Sequence, residues 1–409
     1  MSQEPQSFKS RLKESIKHNP IYTKAIRPLR VKLNALIEST LDDEAYFVRR
    51  HKKIFGYTPD FRNPKTFNEK IIHRILFDRS PVYTALADKL KARIYIAATL
   101  YPLYENAIRG GAECNASLDS SLDSSAQPTI QALAKLNLLE PSSPLFAPID
   151  SLGSTLLATN ICPYLPKLYG IYKSFDEIDF TSLPTSFAIK TNHDGGGVVL
   201  VPDKQKFLRD QARFEAARSK IQHHLATNFY TLFREWHYKD IEPRVFIEEL
   251  LGASSPANTA PNAKSIADSS TKTFENDDFH NKIAQNPESY KAPTDYKCHI
   301  FNGALSHIEV IRGRFVHQEE IALDEQWQKL PFDYEKRATT IPPKPKNLLT
   351  MKQIAIALSQ PFAYVRVDLY EIDSVIFFGE MTFTPACGTD KFSPQEWDNV
   401  LGDRWKMHA

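Results

Sequence analysis

Two apolar stretches near the C-terminal end, residues 364–371 and 375–382, constrain the fold more than any other part of the chain. A short polar turn separates them, so they are predicted to be neighbouring antiparallel strands. Arg366, Asp368 and Glu380 interrupt their apolar side chains. Charged groups in buried strands are unfavourable unless they are paired or bind a metal. The chain must therefore fold so that a largely buried hairpin still presents charged side chains to a partner.

The two acids of this hairpin suggest a metal site. Asp368 and Glu380 lie on adjacent predicted strands, and two carboxylates at short distance repel each other unless a cation neutralises them. Mg²⁺ prefers carboxylate, phosphate and water oxygens, which makes it the natural candidate. The alternative is a structural ion pair of Arg366 with Asp368 or with Glu380.

A glycine-rich segment joins the strands predicted at 186–191 and 198–201. Lys190 stands near the end of the first strand. Three consecutive glycines precede the second strand: Gly195, Gly196 and Gly197. Glycine lets backbone N–H groups approach a phosphate closely, and the lysine adds a positive charge. The segment is predicted to bind phosphate, although an ordinary glycine-rich hairpin turn has a similar sequence.

The strand predicted at 244–251 carries two adjacent acids. Alternation along the strand places Glu248 and Glu249 on opposite faces. Such a strand can offer backbone groups to an adenine edge and a carboxylate to a ribose. The alternative is an ordinary strand with solvated acids.

A hairpin predicted at 296–301 and 304–311 carries charged residues at its open end. Asp295 and Lys297 are two residues apart and point the same way from one strand. They either hold a ribose and a phosphate or form a surface ion pair. Arg314, at the far end of the hairpin, is predicted to line the same cleft, because a guanidinium binds carboxylates and acylphosphates in a bidentate manner.

The chain divides into four predicted parts. Residues 1–40 form a basic helical segment, either an amphipathic helix that rests on anionic lipid or a solvated helix on the main body. Residues 41–105 form a helical region, and residues 106–160 and 252–292 are expected to be long, low-complexity surface insertions. The second insertion interrupts a domain that spans 161–409. Helical spacing of apolar residues also predicts three individual helices, at 68–77, 81–101 and 348–358.

Composition excludes several classes of protein. The 51 basic and 49 acidic residues leave a formal charge of +2, which gives no case for nucleic-acid binding. The four cysteines have no short Cys-x-x-Cys spacing, so reduced thiols in a cytoplasmic protein are expected. The N-terminal residues lack the apolar core of a signal peptide, and no uncharged run reaches the ~20 residues of a membrane span.

Taken in order, these elements resemble the TupA-like family of the ATP-grasp superfamily, which is associated with bacterial cell-surface polysaccharide and teichuronopeptide synthesis. The resemblance runs from about residue 47 to 405, apart from the two insertions. It rests on the residues at 63–70, 86–89, 183–184, 190–197, 247–249, 295–297, 301–303, 366–370 and 378–380.

The resemblance implies an α+β ATP-grasp fold, in which two α+β lobes clamp ATP and the glycine-rich hairpin acts as a lid. It implies that Lys190 and Lys297 contact phosphates and that the segment from Glu248 to Leu251 meets the adenine. Asp368 and Glu380 would be magnesium ligands. The superfamily's last acidic strand reads Glu-x-Asn, whereas here Thr382 stands in place of the asparagine, so Thr382 is the implied third ligand.

The activity implied by the resemblance is that of an ATP- and Mg²⁺-dependent ligase. Such enzymes activate a carboxylate as an acylphosphate, which an amine or a related nucleophile then attacks. Arg314 or Arg366 is expected to steady the transferring phosphoryl group. The expected partners are ATP and a small-molecule or glycan acceptor, with an oligomeric state that the sequence leaves open.

Three other activities fit the same residues. A glycosyltransferase of the same pathway would bind a nucleotide-sugar in place of ATP. A phosphotransferase acting on a sugar or lipid would release ADP and a stable phosphorylated product. A non-catalytic protein would bind nucleotide without turnover.

Overall fold

The computed structural model describes residues 27–108, 126–252, 292–314 and 317–407. Within them the chain forms two compact units, one ending at Asp60 and one beginning at Phe61. Most of the basic N-terminal segment, the serine-rich run and most of the second predicted insertion lie outside the described residues.

The first unit contains two helices, α1 (Arg27–Thr40) and α2 (Asp43–Phe55). The Asp42 side chain begins α2 by accepting a hydrogen bond from the Ala45 amide. α1 covers the last part of the basic segment predicted at residues 1–40. Its predicted contact with a membrane surface stays a prediction.

The second unit combines ten helices with nine strands among the described residues. The helices are α3 (Phe67–Phe77), α4 (Pro81–Ala87), α5 (Lys89–Ile108), α6 (Ala126–Leu133), α7 (Gly153–Ala158), α8 (Lys204–Arg209), α9 (Gln211–Ala226), α10 (Tyr230–Phe233), α11 (Leu348–Ser359) and α12 (Trp397–Arg404). The strands are β1 (Leu168–Tyr172), β2 (Phe187–Thr191), β3 (Val198–Val201), β4 (Val245–Glu248), β5 (Asp295–Phe301), β6 (Ala304–Arg312), β7 (Glu319–Leu323), β8 (Tyr364–Ile372) and β9 (Val375–Thr382).

The strands form two antiparallel sheets. Sheet A has the order β1-β4-β2-β3, and sheet B has the order β7-β6-β5-β8-β9. Helices and two antiparallel sheets in one unit confirm the predicted α+β class. The strands predicted from apolar alternation are all present, with ends that differ by only a few residues.

Sheet A buries one face against helices. Ile189 and Ile247 are fully buried in a cluster with Phe207 of α8 and Ile221 of α9. Because successive side chains alternate between the two faces of a strand, Lys190 and its neighbours point to the opposite face. That opposite face is the one relevant to the functional site.

Sheet B has one apolar and one polar face. Cys298, Val367 and Leu369 belong to the main core together with residues of α5 and α11. The alternating positions carry charged and aromatic residues instead, and the register sets them side by side. Lys297 pairs with Asp368, and Asp368 pairs with Glu380 on β9.

A β-bulge in the last hairpin places Glu380 on the polar face. Asp368 pairs with Glu380 but Leu369 pairs with Phe378, so Gly379 is an extra residue on β9. A Cβ at Gly379 would lie 2.9 Å from the Tyr370 ring and 3.1 Å from the Asp368 carbonyl oxygen. The bulge lets Phe378 enter the core while Glu380 faces the opposite side.

The structure differs from the expected surface loop over residues 126–160. This stretch forms α6, α7 and short 3₁₀ turns, and its apolar side chains join the main core: Ile130, Leu133, Leu138, Leu145, Ile149, Leu152 and Leu156. The serine-rich composition upstream concealed these apolar residues. They anchor the segment because burying them outweighs the entropy of ordering it.

The helix predicted at 81–101 is instead two helices that meet at Asp88. The Asp88 carboxylate accepts a hydrogen bond of 2.9 Å from the Leu90 amide, which satisfies a free N–H at the start of α5. The break therefore places Lys89 at the first position of a new helix.

The motif at 63–70 has a structural role. Thr66 and Glu69 form a capping box that begins α3. The Lys70 ammonium donates to the carbonyls of Gly402 and Trp405, and Arg74 donates to the carbonyls of Tyr364 and Phe383. This helix therefore ties the C-terminal segment to the edge of sheet B.

No helix of the described chain is both long and apolar enough to span a membrane.

Candidate functional site

A buried ion network occupies the polar face of sheet B. Arg366 binds Asp368 in a bidentate manner, with its Nε 2.7 Å from Oδ1 and its Nη2 2.9 Å from Oδ2. The Lys297 ammonium also contacts Asp368 Oδ2 and lies 3.2 Å from Asp295 Oδ2. Burial opposes the ionisation of Asp368, but the charges of Arg366 and Lys297 outweigh it and lower its pKa. Asp368 is therefore a firmly ionised carboxylate.

The three predicted metal ligands converge on one point. Arg366 Nη2 lies 2.9 Å from Asp368 Oδ2, 3.1 Å from Glu380 Oε1 and 3.1 Å from Thr382 Oγ1. The ion pairs of Arg366 with both acids, which were the alternative to a metal site, are thus present in the folded chain. Carboxylate and hydroxyl oxygens are donors suited to Mg²⁺, so the set fits this ion in its chemistry. Within the described residues no cluster of three or more His, Cys, Asp or Glu side chains could hold a metal by itself.

Asp295 and Arg314 meet at the end of the same network. Arg314 Nη2 lies 2.9 Å from Asp295 Oδ2, and the Asp295 carboxylate is buried. Neither Asp295 oxygen has a hydrogen bond of good geometry within the described chain. Burial raises the pKa of Asp295, and the Lys297 charge opposes this rise.

On sheet A, Glu248 joins two cations. The Lys190 ammonium contacts Glu248 Oε1, and Arg93 Nη1 of α5 lies 3.5 Å from Oε2. Arg93 is itself fixed by a 2.7 Å hydrogen bond to the Pro166 carbonyl oxygen. Glu248 is buried and about a third of the Lys190 side chain is exposed, so Lys190 is the accessible charge of this group.

The residues after β4 are placed differently from Glu248. The Glu249 amide donates to the Lys167 carbonyl at 2.8 Å, and the Lys167 amide donates back to Glu249 Oε2 at 3.2 Å. These bonds fix the chain where it leaves sheet A. Leu251 lies two residues after Glu249 and is half-buried.

The glycine-rich segment is a tight loop with an exposed tip. Gly195 and Gly196 are exposed, and Gly196 adopts φ 91°, which favours glycine. Gly197 is buried, and a Cβ there would lie 1.8 Å from Thr191 Oγ1. The loop needs glycine at both positions for different reasons, one conformational and one steric.

Lys89 connects the two sheets and was not among the predicted site residues. Its ammonium contacts the Asp194 carbonyl oxygen in the glycine-rich loop. Its charge interacts with Asp194, with Glu380 on sheet B and with Lys190 on sheet A, while burial lowers its pKa. The signal for it was the motif at 86–89, which formed part of the family resemblance but carried no role for Lys89.

The site residues thus fall into two groups that Lys89 links. The sheet B group contains Asp295, Lys297, Arg314, Arg366, Asp368, Glu380 and Thr382. The sheet A group contains Lys190, Glu248 and the glycine-rich loop. Lys89 is close enough to Lys190 of sheet A and to Glu380 of sheet B for its charge to interact with both.

Comparison with known proteins identifies the family. The sequence profile described as TupA-like ATP-grasp matches residues 161–259 and 267–406, more than half of the chain. No curated protein matches the sequence. Two crystal structures of D-alanine–D-alanine ligase from Bacillus anthracis are similar, one of them complexed with ATP.

These structural likenesses are distant. The ATP complex is 15% identical with a TM-score of 0.27, and the match covers 56% of this chain and 57% of that one. The other structure is 14% identical with a TM-score of 0.27, and the match covers 57% and 60%. The matches thus span less than two thirds of the length of either ligase. The family assignment therefore rests on the sequence profile, and by that profile the chain belongs to the TupA-like ATP-grasp family.

Proposed function

We propose that the protein is an ATP- and Mg²⁺-dependent ligase-type enzyme. It would activate a carboxylate as an acylphosphate for attack by an amine or a related nucleophile. The observation that supports this most is the position of Lys89, whose charge interacts both with Lys190 of sheet A and with Glu380 of the sheet B network.

ATP would bind with its phosphates between the two sheets. Lys89 and Lys190 supply positive charge from one side, and Lys297 supplies it from the other. The exposed tip of the loop at Gly195 and Gly196 offers backbone N–H groups of the kind that hold phosphate oxygens. The adenine would meet the chain from Glu248 to Leu251, and Asp295 would hold the Lys297 ammonium that faces the phosphates.

Mg²⁺ would be held by Asp368, Glu380 and Thr382 together with phosphate oxygens. When bound, it neutralises developing charge on the phosphates. The point where the three ligands converge is held by the Arg366 guanidinium, so cation binding requires Arg366 to turn away. A triphosphate provides the negative charge that would draw Arg366 and Lys297 toward it.

The protein's contribution to the chemistry would be positioning and electrostatic stabilisation. Arg366 and Arg314 would stabilise charge on the transferring phosphoryl group, since guanidinium groups bind such oxygens in a bidentate manner. The glycine-rich loop would exclude water from the acylphosphate. No side chain is required to act as a covalent nucleophile.

The acceptor would be a small molecule or glycan used in the assembly of cell-surface polysaccharide. This is the biological setting that the resemblance to the family implies. Carboxylate-bearing sugars and amino acids are the donors and acceptors to test first, because an acylphosphate and an amine give a stable amide.

Incubation of the purified protein with Mg-ATP and a panel of sugar acids and amino acids tests the proposal. A ligase releases ADP and inorganic phosphate only when both a carboxylate and an amine are present. A phosphotransferase releases ADP without inorganic phosphate, and a glycosyltransferase responds to nucleotide-sugars but not to ATP in a thermal-shift assay. Absence of ATP binding would refute the proposal.

A further inference from the structure

Several side chains that are not among the predicted ATP contacts hold the glycine-rich loop in place. Its first three residues, Asn192, His193 and Asp194, are buried, although loop residues of this polarity are usually solvated. The exposed tip, Gly195 and Gly196, follows directly. The loop therefore consists of a fixed polar base and an accessible tip.

Asn192 fixes the base of the loop to two neighbouring elements. Its Nδ2 donates to Asp88 Oδ1 and to the Glu242 carbonyl oxygen, each at 3.0 Å. Its Oδ1 accepts from the Arg244 amide at 2.7 Å. Its backbone carbonyl accepts from the Lys89 amide at 3.1 Å. These hydrogen bonds fix the position at which the loop begins. They do not involve the tip.

Asp194 supports the tip through three different elements. One carboxylate oxygen contacts Thr191 Oγ1 of β2, and the other contacts His224 Nδ1 in the last turn of α9. Its backbone carbonyl accepts from the Lys89 ammonium. Asp194 therefore links the loop to its own sheet, to α9 and to the lysine that faces both sheets.

His224 lies directly beneath the tip. The His193 ring donates from Nε2 to the His224 carbonyl oxygen at 3.1 Å, so backbone and side chain of His224 both hold the loop. A Cβ added at Gly196 would lie 3.6 Å from the His224 ring, in ordinary contact. The ring is thus the surface on which the tip rests.

From these contacts we infer that Asp194 and His224 are positioning residues for nucleotide binding. The pair holds the glycine-rich tip in place above α9, and through the Asp194 carbonyl it also holds the Lys89 ammonium beside the loop. Removing the contact frees the loop and the lysine together. This inference rests on the proposed function, because it assumes that phosphates bind at this loop.

The test compares variants of the full-length protein for Mg-ATP affinity by calorimetry and for amide hydrogen exchange of residues 192–197. His224→Ala removes the donor to Asp194, whereas His224→Asn places an amide N–H where Nδ1 lies. Asp194→Asn is a second disruption that keeps the side-chain shape. The matched control is His223→Ala, because His223 is the exposed neighbour on the same helix.

We expect His224→Ala and Asp194→Asn to weaken ATP binding at least fivefold and to speed loop exchange, with a melting temperature close to that of the wild type. We expect His224→Asn to recover most of the affinity and His223→Ala to behave as the wild type. Wild-type affinity in His224→Ala, weakened affinity without faster loop exchange, or an equal effect in His223→Ala overturns the inference. Failure of the wild-type protein to bind ATP instead overturns the proposed function.

Discussion

Lys89, the first residue of α5, interacts electrostatically with Glu380 on β9. The two residues belong to opposite ends of the chain's larger unit, and only the fold brings them together. This interaction connects the helical region that precedes sheet A with the final hairpin of sheet B. Under the proposed function, Lys89 contacts the same nucleotide as the ligands on β8 and β9.

Replacing Lys89 tests its role in nucleotide binding. We expect Lys89→Met to raise the dissociation constant for Mg-ATP about tenfold, a loss of about 1.4 kcal/mol, because one phosphate-facing charge is removed. Lys135→Met, which changes an exposed lysine, serves as the control. Titration calorimetry measures both. Equal affinities for the two variants would show that Lys89 does not contact the nucleotide.

Substitutions of Glu380 and Asp368 are expected to differ in their effects on metal binding and on stability. Glu380 is about half exposed, so Glu380→Gln should change the free energy of unfolding by less than about 0.5 kcal/mol but abolish Mg²⁺-dependent ADP release. Asp368 is buried against two cations, and Asp368→Asn should lower stability by about 3 kcal/mol or more. Chemical denaturation and an ADP assay at several Mg²⁺ concentrations measure the two effects. Unchanged Mg²⁺ dependence in Glu380→Gln contradicts the metal assignment.

Buried histidine should make the fold sensitive to acid. Burial, together with the charges of Arg74 and Arg79, lowers the pKa of His237 to about 3. The unfolded chain binds this proton near pH 6.5, so the contribution of His237 to stability is present above that pH and is lost as the pH falls toward 3.

Comparison with a non-titrating variant isolates this effect. Between pH 7.5 and 5.5 the wild type should lose about 1 kcal/mol more of unfolding free energy than His237→Gln, because only the histidine of the unfolded chain takes up a proton. Urea denaturation at the two pH values measures the difference, and other titrating groups cancel. An identical pH dependence of both proteins would mean that His237 takes up its proton over the same pH range in the folded and the unfolded chain.

The capping box of α3 offers a stability test away from the nucleotide. Thr66→Ala should lower the free energy of unfolding by about 1 kcal/mol, since the Glu69 amide at the helix start loses its acceptor. Thr66→Ser keeps the hydroxyl and should stay within a few tenths of a kcal/mol of the wild type. Denaturant unfolding of both variants measures the two free energies of unfolding. Equal losses would indicate that the methyl group, rather than the hydrogen bond, matters.

Periodicity and turn residues predicted seven of the nine strands, while β1 and β7 were not predicted. The same reasoning placed Asp368 and Glu380 on neighbouring strands, which the register confirms, but it did not predict that Lys297 lies beside Asp368. The bulge at Gly379 was not predictable, because residues 375–378 are all apolar and hide the change of alternation that an extra residue causes. Pairing across the sheet, which the sequence does not display, decides the position of such a bulge.

The contacts of Lys89 and His224 were missed for a different reason. Both residues lie on helices whose sequence pattern explains them as ordinary polar positions. Their importance arises from long-range contacts with Asp194, which no local spacing encodes. Composition also gave a wrong prediction for residues 126–160, because a few leucines and isoleucines of this segment join the core.

The extra residue at position 379 decides which changes the last hairpin can accept. In a regular strand residues 378 and 380, two positions apart, would share one side, and the unpaired residue between them is what separates the phenyl ring from the carboxylate. Deleting residue 379 would make these two residues consecutive, so they would still lie on opposite sides. A side chain at 379, by contrast, would collide with the Tyr370 ring. Natural variation in this hairpin should therefore remove residue 379 more readily than replace it with a larger one.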